Sequence, residues 1–329
     1  MTSWKWIAAT AAIGASAIGA AAAGNGAAGA GAAGTATGSQ VRIDVQAARI
    51  AVEIDGKLFT ALNADKDARK LYLHPLLTSS GKRVTRAYPM EQVAGESTDH
   101  PHQRGVWIGA EHVTGGDFWE NEPSDKNPRA GTVTMTEVTD VRSGAGEGAF
   151  TIHANWVGTD GKAVIGETRT MTFRAPASGE RIIDIDLRLK AKTRVTFDDH
   201  HDALLGLRLA TPFEIAHGGR VVNAEGLTEW ERLRGARSAW VDSLATVDGE
   251  NVGVAVMDAP TNFRFPTPWH VREYALVFAS PFASHDYNPA APDGSLTLKT
   301  GEELKLRYRI LIHPAGSDVA AAFKEFAAR

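Results

Sequence analysis

The sequence predicts an all-β protein: a large antiparallel β-sandwich carrying one short C-terminal helix. Three observations point there. Apolar residues alternate with period two along most of the chain after residue 40, turn dipeptides punctuate those runs, and a helical stripe surfaces only near the C-terminus. The chain has 329 residues, and its first 40 hold 16 Ala and 8 Gly with Lys5 as the one charge. That segment cannot share a core with the rest.

Taken in order, Met1–Trp6 carries Lys5, Ile7–Ala23 is small and apolar, and Ala21, Ala22 and Ala23 form a small-residue cleavage pattern. Residues 1–23 therefore read as a signal peptide and 24–40 as a Gly/Ala-rich flexible linker. Residues 41–329 read as a single sandwich domain, exported to the periplasm or the medium. The alternative of a permanent N-terminal anchor is disfavoured by the near absence of Leu, Val and Phe.

Beyond the N-terminus no stretch approaches the roughly 18 to 20 apolar residues of a spanning helix. A net charge of −4 weighs against a nucleic-acid partner. The lack of any cysteine excludes disulfides, thiolate metal sites and a cysteine nucleophile.

Val41, Ile43 and Val45 alternate, as do Ile50, Val52 and Ile54, and Asp55-Gly56 then turns the chain toward Leu58 and Phe59, a hairpin signal. Phe150, Ile152, Ala154 and Trp156 precede a second turn at Asp160-Gly161, followed by a run from Val164 to Phe173. Alternation returns at Ile183–Leu189, Leu205–Leu209, Val252–Val256 and Leu304–Ile312, with polar residues between the apolar ones, as strands with one solvated face require. Ser317–Ala328 reads as the helix, with Ser317 as N-cap and Val319, Phe323 and Phe326 on one stripe.

The segment from His74 to Glu122 lacks this alternation and is dense in polar and aromatic residues. It contains Asp99-His100-Pro101-His102-Gln103-Arg104, then Trp107 and Glu111, then Asp117-Phe118-Trp119-Glu120. Imidazole both donates and accepts a proton near neutral pH. Two rings two residues apart point to one side if the backbone is extended. That arrangement suits a proton-transfer pair or half of a metal shell, completed by His74 or His270, and the spacing leaves both open.

Trp107, Trp119 and Trp269 are candidates to cover a pyranose face, whereas Trp156 on an alternating strand is expected in the core. Pro266-Thr267-Pro268 is expected to hold an extended loop presenting Trp269, His270 and Arg272. Arg208, between Leu207 and Leu209, must face away from them. Asp198-Asp199-His200-His201-Asp202 has the look of a metal-binding run, but its charge density suits a solvated loop and it ranks below the other clusters. No phosphate-binding loop, dinucleotide glycine pattern, nucleophile elbow or zinc-protease helix is present.

The motifs His74-Pro-Leu-Leu-Thr, Arg86-Ala-Tyr-Pro, Asp99-His-Pro-His, Arg104-Gly, Asp117-Phe-Trp, Arg208-Leu-Ala-Thr-Pro and Pro268-Trp-His resemble the bacterial family labelled PmoA, over nearly all of residues 41–329. Gln103 stands where relatives often carry another histidine. The resemblance implies an exported protein of bacteria that handle complex carbohydrates, with an architecture similar to the galactose mutarotase-like supersandwich.

On this reading the partner is a small carbohydrate. His100, His102 and His270 move protons, with Glu120 or Glu111 as carboxylate. His74, Arg86, Asp99, Arg104, Asp117, Arg208 and Arg272 bind substrate, and Trp107, Trp119 and Trp269 line it. The reaction is hydrolysis, elimination or epimerisation. One alternative is a divalent-metal oxygenase or hydrolase with His100, His102 and His74 or His270 as ligands, and another is a non-catalytic sugar-binding protein. The His74–Glu122 segment and the 262–272 loop are expected to meet at one end of the sandwich.

Overall fold

The computed structural model describes residues 38–329. The expected signal peptide, and all of the expected linker but its last three residues, lie outside them. Among the described residues strands dominate, in two large antiparallel sheets and one two-stranded ribbon. The nine-stranded sheet runs, edge to edge, Trp269–Arg272, Leu276–Ala279, Ala203–Arg208, Val106–Ala110, Tyr72–Leu73, Lys57–Asn63, Arg49–Ile54, Gln40–Gln46 and Gly144–Ala145. The eight-stranded sheet contains the long strands Glu147–Val157, Ala163–Arg174, Arg181–Ala191 and Glu303–Pro314. The described residues form one compact unit.

Local chemistry explains the turns. Asp55 and Gly56 both sit at positive φ, 51° and 74°, which is what a two-residue hairpin loop needs to match the twist of its strands. The core lies between the two sheets. Phe59 meets Phe173 edge-on at 6.3 Å, Phe173 stacks on Phe150 at 5.5 Å, and Trp156 lies fully buried against Phe118. Each such side chain contributes roughly 1.5–3 kcal/mol by leaving water. Trp156 keeps its indole N–H satisfied by donating to Glu167 at 2.7 Å, and Arg169 in turn pairs with Glu167.

The C-terminal helix spans Val319–Ala327 and is capped by Asp318, one residue beyond the expected Ser317, because the Asp318 carboxylate accepts from the Ala321 amide at 2.9 Å. Phe326 packs beneath the guanidinium groups of Arg307 and Arg309 on the eight-stranded sheet. No helix among the described residues is long and apolar enough to cross a membrane.

Pairing register decides where chemistry is displayed. Val106, Leu207, Val277 and Val271 form one row across four neighbouring strands and enter the main core. The adjacent row, Tyr72, Trp107, Gly206, Phe278 and His270, faces the other side of the same sheet. The next carries Arg208, Leu276 and Arg272. This outer face holds the groups described below.

Candidate functional site

A floor of aromatic rings covers the outer face. Gly206 makes it flat: a Cβ there would lie 2.6 Å from the Trp107 indole, so only glycine lets that ring lie across the strand. Trp119 comes down on Trp107 at 4.9 Å and meets Phe278 at 4.8 Å. From Phe278 a stack of imidazoles runs outward, His270 at 4.4 Å, then His201 at 4.8 Å, His200 at 4.6 Å and His112 at 4.3 Å.

The expected sugar-lining tryptophans are therefore corrected. Trp107, Trp119 and Trp269 are fully buried, and Trp269 enters the core, donating its indole N–H to the Ser238 carbonyl at 2.8 Å. Alternation explains Trp269: residues Trp269–Arg272 are an edge strand and not a loop, so Trp269 and Val271 point inward while His270 and Arg272 point outward.

The imidazole stack ends in a group of carboxyls. Glu111 follows its strand directly, and its amide donates to the Asp202 carbonyl at 2.9 Å, which brings the two side chains together. The Asp202 carboxyl hydrogen-bonds that of Glu111. Burial first, then this bond and the charges of Glu111, Glu120 and Asp117, push it up to about 8. Burial and the same neighbours raise Glu120 and Asp117. Asp117 is fixed by accepting from the amides of Trp119 and Glu120 at 2.8 and 2.9 Å.

His201 lies between two carboxyls. Its Nδ1 bonds Asp286, and its Nε2 is 3.8 Å from Asp202. His270 bonds the Tyr287 hydroxyl through Nδ1 at 2.9 Å and is held neutral, lowered to about 2 chiefly by burial.

The other end of the face is basic. Arg86 and Arg208, both buried, converge on the same carboxylate oxygen of Asp99 at 2.7 and 3.1 Å. Arg86 also donates to the carbonyls of Asp99 and His100 at 2.9 Å each, so it shapes this loop from within. Arg208 donates to Gln103 at 2.6 Å and lies under the Tyr274 ring at 4.4 Å.

His100 and His102 do not lie on an extended segment. His100 has φ +41°, the chain turns there, and the two rings meet edge-on at 5.7 Å. His100 stacks on Tyr274 at 5.5 Å and reaches solvent. His102 is buried, bonded to Asp125 at 3.0 Å and lowered to about 2, chiefly by desolvation. Beneath, the fully buried Lys70 donates to the carbonyls of His102 and Trp119 at 2.8 and 2.6 Å, tying the two ends together; burial lowers it to about 7.

Arg104, expected to bind substrate, is spent internally in a two-pronged pair with Glu122 at 2.7 and 2.8 Å. His74 is also buried, lowered to about 4 mainly by desolvation, with Glu91 its nearest acid at 3.7 Å.

The segments converge over the face of one sheet, where His270, Arg272, Arg208 and Trp107 stand in adjoining rows, and not at the end of the sandwich. His74, His100 and His102 do not form a set of converging ligand atoms. Among the described residues those sets are Glu111, His112 and His200; His200, His201 and Asp286; and Glu111, Asp117 and Glu120, each with its ligand atoms within 4.8 Å of one another. These are the residues that could hold a cation. His112, Asp286 and Tyr287 carried no signal in the sequence. The Asp198–Asp202 run did, and it stands at the centre of the site instead of below the other clusters.

A separate hollow of about 800 Å³ lies on the outer face of the eight-stranded sheet, lined by His153, Thr168, Asp186, Arg188, Lys305 and Arg307 among others. Its cations lean on Glu303, at 3.5 Å from Arg188 and 3.9 Å from Lys305, and none of the converging ligand sets lies there. The titratable cluster therefore marks the candidate site more strongly than the volume of this hollow.

The chain belongs to the family of unknown function DUF6807, whose model matches residues 49–327. This match gives no support to the PmoA label that the motifs suggested. No curated protein matches the sequence.

Among solved structures the chain is similar to a beta-arabinopyranosidase at 12% identity and a TM-score of 0.36, over 83% of this chain and only 38% of that one. It is similar to a GalM/aldose epimerase homologue from C. elegans at 11% identity and a TM-score of 0.35, over 78% of this chain and 95% of the other. A galactose mutarotase related enzyme from Lactobacillus acidophilus gives 9% identity and a TM-score of 0.35, over 84% and 99%. Likenesses this loose decide neither substrate nor reaction.

Proposed function

We propose that the protein is an exported enzyme that moves protons on a sugar, with the outer face of the nine-stranded sheet as its active site. The observation that carries this is the line Asp286–His201–Asp202. Asp286 fixes the imidazole, His201 Nε2 is left as a base, and Asp202, hydrogen-bonded to Glu111, is an acid poised near neutral pH. What supports a sugar as the substrate is the resemblance to carbohydrate-associated proteins, together with the partly buried rings of Trp230 and Tyr274 and the exposed His100 at the rim of the face.

The geometry favours epimerisation or elimination over hydrolysis. Glycosidase carboxyls stand about 5 Å or more apart, astride the bond. Asp202 and Glu111 are in hydrogen-bond contact, too close to each other to stand astride one. Incubation with a panel of mono- and oligosaccharides in D₂O, read by mass spectrometry and NMR, should show deuterium entering a ring carbon or an unsaturated product. His201→Ala should abolish it. Identical products from both proteins would defeat the assignment.

A second reading rests on Glu111, His112 and His200, whose ligand atoms converge as those of a divalent cation site do. Near-stoichiometric metal in unchelated protein, lost in His112→Ala, supports that reading, and metal-free protein with full activity rejects it.

A further inference from the structure

Two arginines near His270 are not used by the chemistry above. Arg234 follows the short helix Trp230–Leu233. Its amide donates to the Trp230 carbonyl at 3.0 Å, and the next amide, of Gly235, donates to the Trp269 carbonyl at 2.7 Å. Gly235 has φ +82°, and a Cβ there would lie 2.8 Å from the Tyr287 ring, so this backbone rests directly on the tyrosine that bonds His270. The Arg234 guanidinium is exposed, 6.0 Å from that ring, and forms no ion pair among the described residues.

Arg272 stands two residues from His270 on the same face of its strand. Its guanidinium lies 4.9 Å from the Tyr274 ring and 5.8 Å from Trp230, the residue that opens the Arg234 helix. Its Nε donates to Glu273 at 3.2 Å, which leaves its two terminal nitrogens without a bonded partner among the described residues. Stacking of this kind fixes the plane of the fork while its N–H edge stays presented.

We propose that Arg234 and Arg272 are a carboxylate-recognition pair, and that the substrate is an acidic sugar of the uronate type whose carboxylate they hold beside His270. This rests on the reading of the outer face as the sugar site and adds the substrate class. The field along the face supports it. Glu111, Asp117 and Glu120 crowd one end and disfavour an anion there, so a carboxylate settles at the guanidinium end, and the substrate enters in one direction. A planar guanidinium matches a carboxylate with two parallel hydrogen bonds, which a neutral hydroxymethyl group cannot reproduce.

The test is calorimetric titration of the full chain with a galacturonate trisaccharide and with the neutral galactose trisaccharide, for the native protein, Arg234→Ala and Arg272→Ala. Thermal melts check that each variant is folded. The acidic sugar should bind the native protein more tightly than the neutral one, and more weakly as salt rises. Losing either arginine should weaken acidic binding by roughly tenfold to a hundredfold, as the loss of a hydrogen bond between charged partners does, and neutral binding by much less. Equal affinity for the two sugars, or acidic binding indifferent to both substitutions, overturns the proposal while leaving the sugar site standing. Binding of neither sugar to the native protein overturns the proposal together with the site.

Discussion

Asp202→Asn probes the carboxyl cluster directly, because the charge that destabilises the site is the same group assigned as its acid. Below about pH 4 the folded and unfolded chains both hold this proton. As pH rises, the unfolded chain loses it first, near the ordinary carboxyl value of 3.8, while the folded protein keeps it until about 8. The stabilisation is fully present at low pH and drains away as pH climbs through that window. At about 1.4 kcal/mol for each pKa unit, the limit is roughly 5–6 kcal/mol.

Asp202 is hydrogen-bonded to Glu111, and its side chain is 20% exposed. Together these bring the effect to roughly 1–3 kcal/mol. Asparagine keeps the hydrogen bond to Glu111 and removes the charge. Thermal melts of chelator-treated protein from pH 5 to 9 should show the native melting temperature falling with pH relative to the variant. By pH 9 the variant should melt about 2–5 °C higher. Two curves that stay parallel across the range would refute the assignment of Asp202 as a raised acid.

Gly206→Ala sets a methyl group against the Trp107 ring at 2.6 Å, and urea unfolding should show a loss of about 1–3 kcal/mol from overpacking. Glu122→Gln leaves Arg104 mostly buried without its acid and should cost about 3–5 kcal/mol in the same assay. A neutral result would return Arg104 to the list of residues free to bind substrate.

Half-buried strands advertise themselves. Ile183–Leu189 and Leu304–Ile312 pair antiparallel, each with one apolar face, so both the elements and their orientation were legible. Asp55-Gly56 was equally plain, because only a few residue types tolerate its backbone. The four-residue strand Trp269–Arg272 was not: two prolines precede it, and its alternation divides Trp269 from His270, which as neighbours in sequence were assigned to one surface.

The three tryptophans show the same limit. Sequence reports a ring but not what covers it, and here Gly206 lets Trp107 lie down while Trp119 closes over it. His200, His201 and Asp202 looked like a solvated loop because their meaning comes from Glu111, just past the neighbouring strand, a contact no local pattern encodes. Arg234 and Tyr287 became visible only when the sheet brought them to His270.

A crystal structure with a bound acidic oligosaccharide tests the central claim most directly. The account predicts the sugar over the outer face of the nine-stranded sheet, with a ring carbon or glycosidic oxygen near His201 and Asp202 and a carboxylate between Arg234 and Arg272. Sugar bound instead in the hollow beside Arg188 and Lys305 on the opposite sheet, with the imidazole row untouched, would contradict it.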